Sequence, residues 1–474
     1  MKRQRGAAVL LLILTMIVML TIVLAPRMTL WQVHNAAAGV GSQALIDAKA
    51  AILAYAANPG ADAAGTRRLG QILLTPDLPV GAGNTYTGSS PIPSGLCATR
   101  NWTPGQALSD PNSPAVVKLD VRCFGRFPWL SYGLPGPATS DDQDGEVPWM
   151  FMSANLVVGQ PCLSNLNPLM LSKTFSGGGC GSTVPFPWLN VVDNRGNLLS
   201  SEVAIVLILP GPAVANGQRR TSPNDKSPAA YLDSLTVTAA CPVPCVPGTY
   251  NNAAYTIANG AAWTFIDAPS STALGPQPAY YAQPFQFNDR MIYITASEYF
   301  EAMEQRARLA ALNTLAQFRA SYGYLPYSGD NPSNPSIPLA TTCALQSHLG
   351  LLPAAANCGG TLTYPPWYLA AGWESYFIYA VDPGCVASAA APRCAAPTLQ
   401  LGSAATRYNA VLFSPGRAIV NAPYAASKGA AQSPILSGSL ADFFDSTRNV
   451  NGPPFDAAGT PPTANYNDRM YGIP

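Results

Sequence analysis

The longest apolar stretch of the chain runs from Ala7 to Pro26, without a charge and with Thr15 and Thr21 as its only polar side chains. At helical rise those residues span about 30 Å, the depth of a bilayer core. Lys2, Arg3 and Arg5 directly precede the run, which predicts a cytoplasmic basic end and a remainder on the other side of the membrane. Beyond it the spacing turns helical. Leu30, Val33, Ala37, Val40, Ala44, Ala48, Ile52 and Tyr55 recur at steps of three and four. Asn58-Pro59-Gly60 stops the pattern, because a residue before proline avoids the helical region and glycine supplies the exit. One helix over 7–57, about 75 Å long with half of it in lipid, satisfies this pattern. Two helices broken at Pro26 or Gly39 satisfy it equally.

After residue 58 the period changes. Short apolar runs alternate with turn residues through Phe124-Gly125-Arg126-Phe127, Trp149-Met150-Phe151-Met152 and Leu189-Asn190-Val191-Val192. The turn Asp193-Asn194-Arg195-Gly196 and the run Val203–Leu209 complete a hairpin whose second strand is apolar enough to be buried on both faces. A second helix is predicted from Thr295-Ala296-Ser297-Glu298, where Thr295 and Glu298 have capping-box spacing. Phe300, Met303, Ala307, Ala311, Leu315, Phe318 and Tyr322 form its apolar face, and Gly323 ends it.

The region beyond the apolar run contains two similar halves. Ala204–Leu209 followed by Pro210-Gly211 parallels Ala410–Phe413 followed by Ser414-Pro415-Gly416, and Trp149–Ala154 parallels Trp373–Ala380. Phe287-Asn288-Asp289-Arg290-Met291 near the end of the first half matches Tyr466-Asn467-Asp468-Arg469-Met470 near the end of the second. Each half opens with an amphipathic helix, near 43–57 and 296–322. The expectation is an α+β fold: a long N-terminal membrane helix, then a duplicated unit with antiparallel sheets. Its boundaries are 1–6 for a basic leader, 7–57 for the helix with its transmembrane half at 7–26, then 58–294 and 295–474 for the two units. The repeated Asn-Asp-Arg-Met has two readings, a binding site or structure; its position favours structure, with the Asp accepting from Arg or loop amides to tie a last strand in place.

Composition narrows the function. Charged residues are 11% of the 474, while Gly 40 and Pro 46 mark a loop-rich but folded chain. Formal charge is +1, and −2 without Lys2, Arg3 and Arg5, so no basic patch for nucleic acid exists. All ten cysteines lie beyond the apolar run, which predicts disulfides in an oxidising compartment. The simplest pairing is local: Cys97 with Cys123, Cys162 with Cys180, Cys241 with Cys245, Cys343 with Cys358, and Cys385 with Cys394. With no C-x-x-C and only His34 and His348, a zinc site is disfavoured. No nucleophile elbow, zincin motif or P-loop occurs, and His348 is the one candidate base away from the membrane run. Tyr364-Pro365-Pro366-Trp367-Tyr368 has two readings, sugar stacking or the filling of a small core.

The basic leader ending in Gly6 ahead of the apolar run resembles the class III signal of type IV pilins and type II secretion pseudopilins. A secretory signal peptide differs, with an apolar core of about 7–15 residues before a small-x-small site. The resemblance implies cleavage between Gly6 and Ala7 by a prepilin peptidase, with the apolar segment kept on the mature protein. It also implies packing in a filament with other pilins or pseudopilins on an inner-membrane assembly platform. The fifth mature residue is then Leu11, where major subunits of the family carry Glu. That departure implies a minor, non-enzymatic subunit at the tip or in the initiation complex, anchored by a single pass in the bacterial inner membrane with a periplasmic or extracellular head. The alternative is a singly anchored periplasmic or surface binding protein outside any filament. Family heads often brace acidic loops with calcium, and Asp141, Asp142, Asp144 and Glu146 around Gly145 offer such oxygens. Their spacing departs from the twelve-residue calcium loop, and a solvated turn is the other reading. No other cofactor is expected.

Overall fold

A computed structural model of the chain describes residues 43–58, 124–134, 148–153, 188–211, 231–253, 263–268, 281, 287–330, 340–343, 347–354, 360–370, 372–402, 406–416, 440–444, 447–456 and 468–474. Helix α1 occupies 43–57. It buries Leu45, Ala48, Ile52 and Ala56 along one stripe and leaves Asp47 and its neighbours to solvent. This corrects the expectation of a long N-terminal membrane helix. Among the described residues no helix is long and apolar enough to cross a membrane. Among the described residues strands outnumber helices, and α1 is a two-faced helix that packs on a sheet. Residues 7–42, where the transmembrane half was expected, lie outside the described residues.

The first unit contains β1 (Phe124–Arg126), β2 (Trp149–Met152), β3 (Leu189–Val192), β4 (Leu198–Leu209), β5 (Ser234–Val237), β6 (Gly248–Asn251), β7 (Thr264–Ile266) and β8 (Arg290–Thr295). β1, β2, β4 and β8 form an antiparallel meander in that spatial order. β4 is long because its two halves have different partners. Its first half makes the hairpin with β3, which in turn pairs parallel with β7. Its second half lies between β2 and β8 and is buried on both faces. Ile205, Leu207 and Leu209 meet α1 and the second helix, whereas Val203, Val206 and Ile208 join Trp149, Phe151, Tyr231 and Phe265 in a separate cluster. A register shift between Val203 and Ile205 moves the alternation by one residue.

β8 runs directly into helix α2 (Ala296–Tyr322). Thr295 accepts from the Glu298 amide at 3.1 Å while Glu298 accepts from the Thr295 amide at 2.9 Å, closing the capping box. Gly323 ends the helix at φ 73°, a left-handed conformation that a side chain resists. The second unit follows with β9 (Gly329–Asp330), β10 (Ala340–Cys343), β11 (Leu349–Leu351), helix α3 (Pro366–Ala370), β12 (Ile378–Val381), β13 (Leu399–Gln400), β14 (Arg407–Tyr408), β15 (Ala410–Ser414), helices α4 (Leu440–Phe443) and α5 (Thr447–Asn451), and β16 (Arg469–Ile473). β11, β12, β15 and β16 form a second antiparallel meander.

The two meanders correspond residue by residue. Arg290 faces Leu209 and Arg469 faces Ser414; one step inward, Ile208 faces Trp149 and Phe413 faces Ile378. At the far edge Gly125 faces Met150 and Gly350 faces Tyr379. Each ladder continues by matched bonds beyond its strands. Phe127 N donates to Pro148 O as Leu352 N does to Phe377 O, and Ser153 N donates to Ala204 O as Asp382 N does to Asn409 O. The register also corrects one detail. Trp149 corresponds to Ile378, and Trp373 sits on a short 3-10 turn ahead of that strand. One apolar cluster spans both units, from Met150 and Leu207 through α2 to Leu412 and Tyr376.

Candidate functional site

The repeated Asn-Asp-Arg-Met closes each unit in three dimensions by the same device. Asp289 is buried, and its Oδ2 accepts from the Asp233 amide at 2.9 Å and from Asn252 Nδ2 at 3.1 Å. Asp233 answers with its own Oδ2, which accepts from the amides of Asn288 and Asp289. In the second unit the equivalent Asp468 is buried, and its Oδ2 accepts from Asn449 Nδ2 at 3.3 Å. Each asparagine also accepts a backbone amide through its Oδ1, from Ile266 in one unit and Asp456 in the other. Buried carboxylates persist when hydrogen bonds replace water, and these do. Asn288 also lies tight against Gly211, where an added Cβ would meet its side chain at 2.4 Å.

Beneath α2 lies a second polar cluster. Glu304 is buried; its Oε2 accepts from the Tyr376 hydroxyl at 2.9 Å, and that hydroxyl is 3.0 Å from Ser414 Oγ. Arg469 reaches Glu301 at 3.2 Å and Glu304 at 3.7 Å. Burial pushes the Glu304 carboxyl up, against the opposing pull of the Arg469 charge and of the hydroxyls. The Tyr376 hydroxyl is pushed up by the same burial and by the Glu304 charge. Arg308 lies over the Tyr471 ring, 4.1 Å from its centroid, and Arg319 donates to the Pro474 carbonyl. These contacts hold α2 to β16.

On the outer side of α2, Arg306, Leu309, Asn313 and Gln317 face Thr363, Pro365, Pro366 and Trp367 across a cavity of about 390 Å³. The far wall is rigid. Tyr364 and Tyr368 are buried and stacked at 4.8 Å, the Tyr364 hydroxyl donates to Pro353 O, and Thr314 Oγ1 donates to Thr363 O. The Tyr-Pro-Pro-Trp-Tyr segment therefore divides its aromatics: two tyrosines enter the core, while Trp367 lines the cavity.

Two of the expected cysteine pairs are disulfides: Cys241 with Cys245, and Cys385 with Cys394. Cys343 closes β10. Cys97, Cys123, Cys162, Cys180 and Cys358 lie outside the described residues, as do Gly6, Ala7, Leu11 and the acidic loop with Asp141, Asp142, Asp144 and Glu146. His348 packs edge-on against Tyr327 at 6.0 Å, and its carbonyl accepts from Val381 N, which extends the ladder one residue ahead of β11. Among the described residues no group of three or more His, Cys, Asp or Glu is placed to hold a metal ion. The reciprocal Asp233–Asp289 arrangement, the Glu304 cluster and the α2 wall of the cavity escaped sequence reasoning, whereas the aromatic segment with Trp367 on the other wall was visible in it. The repeated Asp was the one signal for the first of them.

Neither a known family model, nor a characterised protein, nor a solved structure matches this chain.

Proposed function

We propose that the chain is a non-enzymatic minor subunit of a type IV pilus-like or type II secretion filament, placed at its tip or in its initiation complex. The observation that carries this reading is the basic leader ending in Gly6 directly ahead of the apolar run Ala7–Pro26. The folded part supports it: an amphipathic helix lies on a four-stranded antiparallel meander, and the arrangement is made twice in matching register. In this reading the apolar run holds the chain at the bacterial inner membrane, and the two units stand in the periplasm or outside the cell. Its partners are other pilins or pseudopilins, a prepilin peptidase and the assembly platform.

Leu11 supports the tip position in this reading. A Glu at the fifth mature residue would neutralise the amino terminus of a neighbouring subunit, and an uncompensated buried charge costs several kcal/mol. A subunit without a predecessor has no such amine to meet. N-terminal sequencing of membrane-extracted protein tests the processing: the expected start is Ala7, retained leader is expected in Gly6→Val, and a start near residue 26 would refute the signal. Quantitative mass spectrometry of sheared filaments tests the position. A few copies per filament are expected, and near-equal stoichiometry with a major subunit contradicts a tip role.

A further inference from the structure

We infer that the groove between α2 and the Thr363–Trp367 segment binds a short saccharide. The helical lining residues Arg306, Leu309, Asn313 and Gln317 recur at steps of three and four, so they form one stripe along the groove floor. From Arg306 to Gln317 that stripe is about 16 Å long, which suits an extended ligand of a few rings. Its volume, about 390 Å³, lies in the range of small-ligand sites.

The chemistry selects the ligand class. Trp367 is half-buried and offers a broad apolar surface on which the C–H face of a pyranose stacks. Opposite it stand a planar guanidinium and two planar amides on exposed helix positions, groups that donate to and accept from vicinal hydroxyls. Among the described residues the side chains of Arg306, Asn313 and Gln317 enter no hydrogen bond with one another or with the far wall. The lining contains no carboxylate, so it does not favour a cationic ligand, and Arg306 accommodates either a hydroxyl or an acidic sugar substituent. Preorganisation is built in. The stacked pair Tyr364–Tyr368, the edge-on contact of Trp367 with Tyr368 at 5.7 Å and the Thr314–Thr363 bond fix the wall before any ligand arrives. This inference is independent of filament membership.

The test uses the full-length chain on an array of hexose, N-acetylhexosamine and uronate oligomers, with saturation-transfer NMR on the best binder. Trp367→Ala is expected to weaken binding about tenfold or more, and Trp367→Phe to retain most of it. Asn313→Ala and Gln317→Ala are expected to lower affinity about two- to tenfold each. Both positions are exposed on α2, so their melting curves should match the parent and separate lost binding from lost fold. Failure of every oligomer to bind folded protein overturns the inference, as does saccharide binding that none of these substitutions weakens. A proline-rich peptide that occupies the groove in the absence of any saccharide signal also overturns it.

Discussion

Lys49 on α1 and Glu298 in the first turn of α2 meet at 2.7 Å, and the same carboxylate closes the capping box of α2 through its other oxygen. Lys49 Nζ also donates to Tyr293 O on β8 at 2.9 Å. One carboxylate thus joins the opening helix of the first unit, the last strand of that unit and the start of the second helix. Burial pushes the Glu298 carboxyl up, but hydrogen bonds from Lys49 and Thr295 and the Lys49 charge outweigh it and hold it below the usual range.

A lowered carboxyl stabilises the fold above its unfolded pKa and loses that contribution as pH falls through the folded value. Glu298→Gln keeps an acceptor for the Thr295 amide and removes the charge, so it is expected to cost less than about 1 kcal/mol at neutral pH, the ion pair with Lys49 being partly exposed. The difference from the parent should shrink as pH falls below the usual carboxylate range and vanish only beneath the lowered folded value. Thermal melts of both proteins across that interval check it, and a difference that persists in acid would contradict the assignment.

The buried aspartates give a paired prediction. Asp289→Ala leaves the Asp233 amide without its acceptor in the interior and takes one of two acceptors from Asn252 Nδ2, which keeps the Ile266 carbonyl, at an expected cost of about 1–3 kcal/mol. Asp468→Ala removes the corresponding acceptor of Asn449 and should act in the same direction. Urea denaturation of the two variants measures both. If either is neutral, the shared closure is not a stabilising device.

How far the sequence discloses this architecture differs from residue to residue. The run Val203–Leu209 announces a strand buried on both faces because no polar side chain interrupts it. Thr295 and Glu298 announce a helix start because their spacing has one physical use. Glu304 and Thr314 lie on the buried side of α2 yet are absent from an apolar stripe, since a stripe records hydrophobicity and not the hydrogen bonds that make polar burial tolerable. The Asn252–Asp289 bond joins positions 37 apart in sequence, and no local pattern encodes it. Trp149 and Trp373 attract one another in a comparison of the halves, but hydrogen-bond register pairs Trp149 with Ile378. The spacing through Ile52 and Tyr55 reveals a helix, whereas its amphipathic packing on a sheet becomes visible only with the sheet in place.

Glu304 supplies a pH dependence of opposite sign. Its carboxyl is raised by burial, so its favourable contribution is complete below the unfolded pKa and is lost as pH rises through the folded value. Glu304→Gln keeps an acceptor for the Tyr376 hydroxyl and removes the charge. It is expected to match the parent near pH 4 and to exceed it in stability at pH 8. Chemical denaturation at the two pH values measures this. A variant weaker than the parent at pH 8 would mean that the Arg469 attraction outweighs desolvation.

The last prediction concerns α2, which both units share. Near its start Phe300 meets Trp188 of the first unit at 6.4 Å, while Glu304, Arg308 and Thr314 bind Tyr376, Tyr471 and Thr363 of the second. Met150, Leu207 and Ile294 belong to the same apolar cluster as Phe377, Leu412 and Phe413. Cutting the chain between Ile294 and Thr295 would uncover Tyr299 and Phe300 on one fragment and the α2-facing side of the first sheet on the other. Burial of each such side chain is worth about 1.5–3 kcal/mol, which is a large share of the stability of a domain this size. The two duplicated units should therefore unfold together. Calorimetry of residues 43–474 is expected to show one transition whose calorimetric and van't Hoff enthalpies agree, with 43–294 and 295–474 failing to fold cooperatively when made separately. Two resolved transitions, or independent folding of either half, would show that α2 serves one unit and merely touches the other.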